Sequence, residues 1–161
     1  MTLGVYAGSF DPPHLGHIAL IETAARACDE LVVVTVGNPN KRTALLARSQ
    51  RRDLLAAGTA HVANVTTLEH EGLTAYLAAE LGASFLVRAM HKECVLEIEM
   101  AAANELISGI PTVFFPPSPA TAWISSRLVR SELRLHGVDA VAALVPAVVL
   151  DHLRHEASVG S

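Results

Sequence analysis

The 161-residue chain predicts a doubly wound α/β fold built on a parallel sheet of about five strands. Three observations carry that expectation. Short apolar or β-branched runs alternate with longer helix-period segments along the sequence. The strand candidates are apolar nearly throughout rather than alternating, which marks strands covered on both faces by helices. Segments rich in glycine, proline, histidine and serine fall just after strand candidates, where open parallel sheets bind their ligands.

The first strand is expected at residues 3–7. Gly8-Ser9-Phe10-Asp11-Pro12-Pro13-His14-Leu15-Gly16-His17 then turns the chain into an Ala-rich helix over 17–28. A second strand at 31–36 leads through Asn38-Pro39-Asn40-Lys41-Arg42 to a helix over 44–60. Strands at 65–69, 85–88 and 112–115 are separated by helices over 72–81 and 93–108. Ser125 and Ser126 are good caps for the helical run after them. The apolar run 141–150 is broken by Pro146, and the polar tail after Leu153 is expected to fray. No repeat, linker or low-complexity segment divides the chain, so residues 1–161 are read as a single domain of ordinary size.

Composition bounds the function. The chain is 51% hydrophobic with mean hydropathy +0.37, which excludes a disordered class. No apolar run reaches membrane-spanning length and no basic region precedes an apolar leader, so a cytoplasmic protein is expected, with no membrane partner. Cys28 and Cys94 lack metal-ligand spacing and read as buried free thiols in a reducing compartment. The net charge of −4 argues against a nucleic-acid partner.

The chemistry concentrates in two segments. His14 and His17 flank Gly16 where a strand becomes a helix, and a helix N-terminus offers unpaired N–H groups and partial positive charge to phosphate. Paired imidazoles there can donate to phosphate oxygens, and Gly8 allows backbone to approach a ligand closely. Far downstream, Trp123-Ile124-Ser125-Ser126-Arg127-Leu128-Val129-Arg130 offers a second helix N-terminus. Arg88 ends a strand, where a ligand role outweighs a surface ion pair. Asp11 reads as a turn residue or as a carboxylate near a metal. Arg48, Arg51 and Arg52 read as a solvated helix face from which one could reach a triphosphate, and Trp123 as a core anchor or as a lid on a bound base. Glu97 and Glu99 do not share a helix face. His61, His70, His136, His152 and His155 show no partner spacing and read as exposed.

The H-x-G-H and I-S-S-x-x-R patterns, taken together, resemble the nucleotidyltransferase superfamily, which implies a Rossmann-like fold. Within it the chain is most similar to the pantetheine-phosphate adenylyltransferase family, from Val5 to about Val148. The matching stretches are Tyr6 to Pro12, Asn38 to Lys41, Leu86 to Arg88, Glu97 to Met100, Ile124 to Ser126, and Val145-Pro146. The resemblance implies transfer of AMP from ATP to phosphopantetheine, with Mg²⁺ bridging phosphates and no residue assigned as a metal ligand. It implies catalytic roles for His17, Lys41 and Arg88. Ser9, Phe10, His14, His17, Ala89, His91, Glu99, Trp123, Ile124, Ser125 and Ser126 would hold the nucleotide. Ser9, Lys41, Thr74 and Arg88 would hold the acceptor, and a homohexamer is implied.

The chain departs from that family at Ala89 and His91, where glycine and arginine are usual, at His14 and Val95, and in Arg42-Thr43-Ala44-Leu45. Asp11-Pro12-Pro13-His14-Leu15-Gly16-His17 is worded more like nicotinate-mononucleotide adenylyltransferases. Three functions therefore stay open: transfer to phosphopantetheine, nucleotidyl transfer to another phosphorylated acceptor, and nucleotide binding with weak or no catalysis.

Overall fold

A computed structural model describes residues 1–37, 44–90 and 94–159. Five parallel strands, β1 (Leu3–Gly8), β2 (Glu30–Val36), β3 (Val65–His70), β4 (Phe85–Ala89) and β5 (Thr112–Phe115), form one sheet in the order β3-β2-β1-β4-β5. The reversal of strand order falls at β1, so the end of β1 is the topological switch point where such sheets bind ligands.

Both faces of the sheet are apolar because both are covered. On one face Tyr6, Val33 and Val87 pack with Ile18 and Ile21 of α1 (Leu15–Ala25) and Leu55 of α2 (Arg48–Gly58). On the other, Val5, Val32, Val34 and Leu86 pack with Leu77 and Ala78 of α3 (Thr74–Glu80) and with Ile110, just past the end of α4 (Cys94–Ser108). Register places Tyr6 between Val33 and Val87, so neighbouring strands present aligned side chains to the same face. A third apolar cluster joins Leu46 and Leu54 to Val129 of α5 (Ser126–His136), to Val141 in a 3₁₀ turn, and to Val149 and Leu153 of α6 (Ala147–Val159).

The strand expectations hold to within a residue at either end. Helix ends hold less closely: the helix expected over 17–28 runs Leu15–Ala25, and that expected over 72–81 runs Thr74–Glu80. The helix expected from residue 44 begins at Arg48. The tail after Leu153 is not frayed: α6 continues to Val159, because Val149 and Leu153 are buried in the third cluster. Pro146 does not interrupt that helix but precedes it, and its carbonyl accepts from Val149 and Leu150. Cys28 is half-buried, its thiol donating to the Ala24 carbonyl at 3.4 Å, and burial pushes its pKa up. Among the described residues no helix is long and apolar enough to cross a membrane.

Helix α4 is amphipathic in the inverted sense. Its inward positions are Glu97, Ala101, Asn104 and Ser108, whereas Val95, Ile98 and Leu106 on the opposite stripe are exposed. Leu106 is 89% exposed, so the helix offers solvent a face that would ordinarily be buried.

Candidate active site

The loop after β1 is built around Phe10. A Cβ on Gly8 would lie 2.8 Å from the Phe10 ring, so the glycine makes room for that ring rather than for a ligand. The ring meets Tyr6 edge-on at 5.2 Å and His17 edge-on at 4.8 Å. This packing holds Phe10 at φ 48, a left-handed conformation rare for a non-glycine residue.

Asp11 is 1% exposed, and its carboxylate accepts the amides of Leu45 and Leu46 at 3.0 and 2.9 Å. It is thus a tie between the loop and the approach to α2, not an open carboxylate. Among the described residues no group of three or more His, Cys, Asp or Glu is placed to hold a metal ion.

His14 and His17 first serve the helix. His14 is the N-cap of α1: its Nδ1 accepts the His17 amide at 3.3 Å, and the His17 Nδ1 accepts the His14 amide at 3.2 Å. The rings stack with centroids 3.5 Å apart. An Nδ1 that accepts from backbone leaves the proton of a neutral imidazole on Nε2, so each ring presents a donor on its far edge. Gly16 is required for this arrangement, because a Cβ there would sit 2.9 Å from the His14 ring and 3.3 Å from the Thr121 carbonyl. His14 is 6% exposed, and both rings cap the helix whose N-terminus they line.

A cavity of about 200 Å³ opens above this turn. The structure brings His14, His17, Ala89, Ile124, Ser125 and Ser126 together around it, along with Tyr6, which sequence reasoning assigned no role. Tyr6 is buried, and burial pushes its hydroxyl above the ordinary 10.0, with Arg88 opposing the shift. The Ser125 side chain caps α5 by accepting the Leu128 amide at 3.2 Å, while the Ser126 hydroxyl donates to the Pro12 carbonyl at 3.0 Å. Two helix N-termini, α1 and α5, therefore converge on one cavity. Each brings the partial positive charge of a helix N-terminus to an anion, although the Leu15 and His17 amides of α1 and the Leu128 amide of α5 already donate to Leu144, His14 and Ser125.

A neighbouring cavity of about 230 Å³ is lined by Ser9, Asp11, Arg48 and Arg51. Arg51 is 5% exposed, which corrects its reading as a solvated residue. Its spacing to Leu54 and Leu55 at i+3 and i+4 is the signal that could have placed it inward. Burial lowers its pKa, partly offset by Asp11.

Other expected residues lie apart from these cavities. Arg88 is half-buried with its guanidinium 3.7 Å from the Glu97 carboxylate, at the edge of β4. Phe10 lies beneath the loop, whereas Thr74, Glu99 and Trp123 line neither cavity. Trp123 is 61% exposed and donates to the Ala120 carbonyl at 3.1 Å, so it is not a core anchor. His61 pairs with Glu22 at 2.7 Å. Lys41 and His91 fall outside the described residues.

Known proteins agree with this picture. Residues 5–132 match the cytidylyltransferase-like family. The phosphopantetheine adenylyltransferase of Synechococcus sp. (strain JA-2-3B'a(2-13)) is 36% identical over 155 residues, covering 94% of this chain and 96% of that protein. The phosphopantetheine adenylyltransferase of Haemophilus influenzae (strain PittEE) is 34% identical over 157 residues, covering 96% and 99%. Among solved structures, Thermotoga maritima TmcAL bound with alpha-thio ATP superposes with a TM-score of 0.70 at 12% identity, covering 99% of this chain and 57% of that one. The lipopolysaccharide core biosynthesis protein of Thermoplasma volcanium gives 0.57 at 24% identity, covering 73% and 97%. Those two likenesses concern the fold, whereas the sequence matches run nearly end to end and take in both motif segments. The chain belongs to the phosphopantetheine adenylyltransferase family of cytidylyltransferase-like proteins.

Proposed function

We propose that the protein transfers AMP from ATP to 4'-phosphopantetheine, giving dephospho-coenzyme A and pyrophosphate. The observation that carries this reading is the near full-length likeness to phosphopantetheine adenylyltransferases. The convergence of two helix N-termini on one cavity beside the switch point supplies its physical basis.

The acceptor phosphate oxygen attacks the α-phosphorus of ATP, the bond to the β-phosphate oxygen breaks, and pyrophosphate leaves. A phosphate monoester is already an anion at neutral pH, so no general base is required. The protein's task is to bring two anions together and to neutralise charge on the pentacoordinate phosphorus. His17 donates from Nε2 at the N-terminus of α1. The N-terminal amides of α5 hold the nucleotide phosphates. Lys41 and Arg88 neutralise the acceptor phosphate, with Arg88 exchanging the Glu97 carboxylate for that anion. Mg²⁺ enters as part of the nucleotide substrate, because the Asp11 carboxylate is already engaged by two amides.

The homohexamer implied by the family fits the outward apolar stripe of α4, which a second copy would cover. A cytoplasmic setting fits the free thiol of Cys28.

The test is a panel of nucleoside triphosphates and phosphorylated acceptors with pyrophosphate as readout. Pyrophosphate from ATP and phosphopantetheine, absent without Mg²⁺, is expected. A second reading, with nicotinate mononucleotide as acceptor, rests on the wording of the Asp11 to His17 segment, and turnover of that acceptor alone would replace the first. No turnover with any pair would leave nucleotide binding without catalysis, as Ala89 and His91 in place of the usual glycine and arginine would allow.

A further inference from the structure

Pro12 and Pro13 follow Asp11 in the motif loop, so the carbonyls of Asp11 and Pro12 belong to peptide groups whose nitrogen carries no hydrogen. Asp11, Pro12 and Pro13 are all buried. A buried carbonyl left without a donor costs about 1–3 kcal/mol. Both carbonyls are matched from the far end of the chain. The Arg130 guanidinium donates to the Asp11 carbonyl, and the Ser126 hydroxyl donates to the Pro12 carbonyl at 3.0 Å. Ser126 and Arg130 are four apart on α5 and so share a face. From the other side, Arg51 of α2 donates through Nη1 to the Ser9 carbonyl. The C=O and N–H of a trans peptide point in opposite directions. The bond to Ser9 therefore sets which way the Phe10 amide faces, at a residue already held in the left-handed region.

We infer that Arg130 and Arg51 are positioning residues for the transfer step: they grip carbonyls of the motif loop from α5 and α2, and thereby hold the His14–His17 turn and the N-terminus of α5 in one rigid frame. This rests on the adenylyl-transfer reading. An arginine beside an anion-binding cavity is ordinarily taken as a phosphate ligand, yet Arg130 lines neither cavity and its Nη1 is on a carbonyl. Arg51 does line the second cavity, yet it is 5% exposed and its Nη1 is on loop oxygens. The grip joins the two motif segments: polar side chains of the second donate to backbone carbonyls of the first.

Steady-state kinetics of the full chain, with ATP varied at saturating acceptor, test this. Wild type is assayed first. Absence of turnover there overturns the transfer reading and this inference with it, whereas turnover isolates the arginines. Arg130→Met and Arg51→Met are expected to lower kcat about a hundredfold, the scale of loss when reacting groups are misplaced by about 1 Å. The KM for ATP should change by less than about threefold. Arg130→Lys, which keeps one donor for the Asp11 carbonyl, should recover much of the loss. Circular dichroism reports whether each variant is folded. Should Arg130→Met fail to fold, Ser126→Ala, which removes the single hydrogen bond to the Pro12 carbonyl, carries the same test, with a lowered kcat and an unchanged KM for ATP expected. A rise of tenfold or more in the KM for ATP with kcat preserved would make Arg130 a phosphate ligand and overturn the inference. Unchanged kcat and KM in folded variants would overturn it equally.

Discussion

His17 holds three relations at once. It accepts the His14 amide, stacks on the His14 ring and packs against Phe10. His17→Ala should therefore lower turnover by about 10²–10³-fold, the usual cost of one lost transition-state donor. It should also weaken the protein by about 0.5–2 kcal/mol through the lost cap. Turnover of the folded variant and its thermal midpoint check the two effects separately. Gly8 makes a sharper test of packing. Gly8→Ala drives a methyl to within 2.8 Å of a ring that is itself 2% exposed, so neither partner can move aside freely. Its expected cost is about 1–3 kcal/mol, read as a lowered denaturant midpoint. Both residues were visible in the sequence, but their local partners were not. A glycine before Phe10 reads equally as space for ligand or for ring, and only the left-handed turn at Phe10 decides. Arg51 was misplaced because three arginines close together look solvated, although its spacing to Leu54 and Leu55 pointed inward.

At the level of elements, the strands were legible because continuous apolar runs leave few alternatives in a sheet covered on both faces. β3 shows the limit of that signal. It is an edge strand with the exposed positions Thr66 and Glu69, yet its position between two helices placed it correctly. Helix ends were less legible. The start of α2 depends on Asp11 gripping the amides of Leu45 and Leu46, a contact between residues 34 and 35 positions apart that no local pattern encodes. The course of α6 was hidden for the same reason, since its polar residues face water while Val149 and Leu153 reach the third cluster. Leu153→Ala should therefore cost about 2–5 kcal/mol, as for a buried leucine. A change within experimental error in chemical denaturation would restore the frayed tail.

Two properties belong to the molecule as a whole. Tyr6 and Cys28 hold their protons more tightly when folded than their ordinary values of 10.0 and 9.0, because burial disfavours the charged forms. The folded state then binds more protons than the unfolded chain at alkaline pH, so stability falls as pH rises through 9.0 and then 10.0. Tyr6→Phe should flatten the upper part of that fall in urea titrations across this range, and an unchanged slope would remove Tyr6 as its source. The second property is the outward stripe of α4. On the proposed hexameric arrangement, Ile98→Glu with Leu106→Glu should give monomers in sedimentation equilibrium without loss of helical signal, because both side chains are exposed in the single chain, and a wild type that is itself monomeric would remove that arrangement.

The grip of α5 on the motif loop also orders events during synthesis. Asp11 and Arg130 are separated by 119 residues, on the order of ten seconds of translation. The glycine-histidine segment leaves the ribosome long before Ser126 and Arg130 are made to replace the water on its carbonyls. β1, destined for the centre of the sheet, waits likewise for β4. The nascent chain therefore carries the half of its site nearest the N-terminus in an unassembled form, and nucleotide can act as a folding ligand only once α5 has emerged.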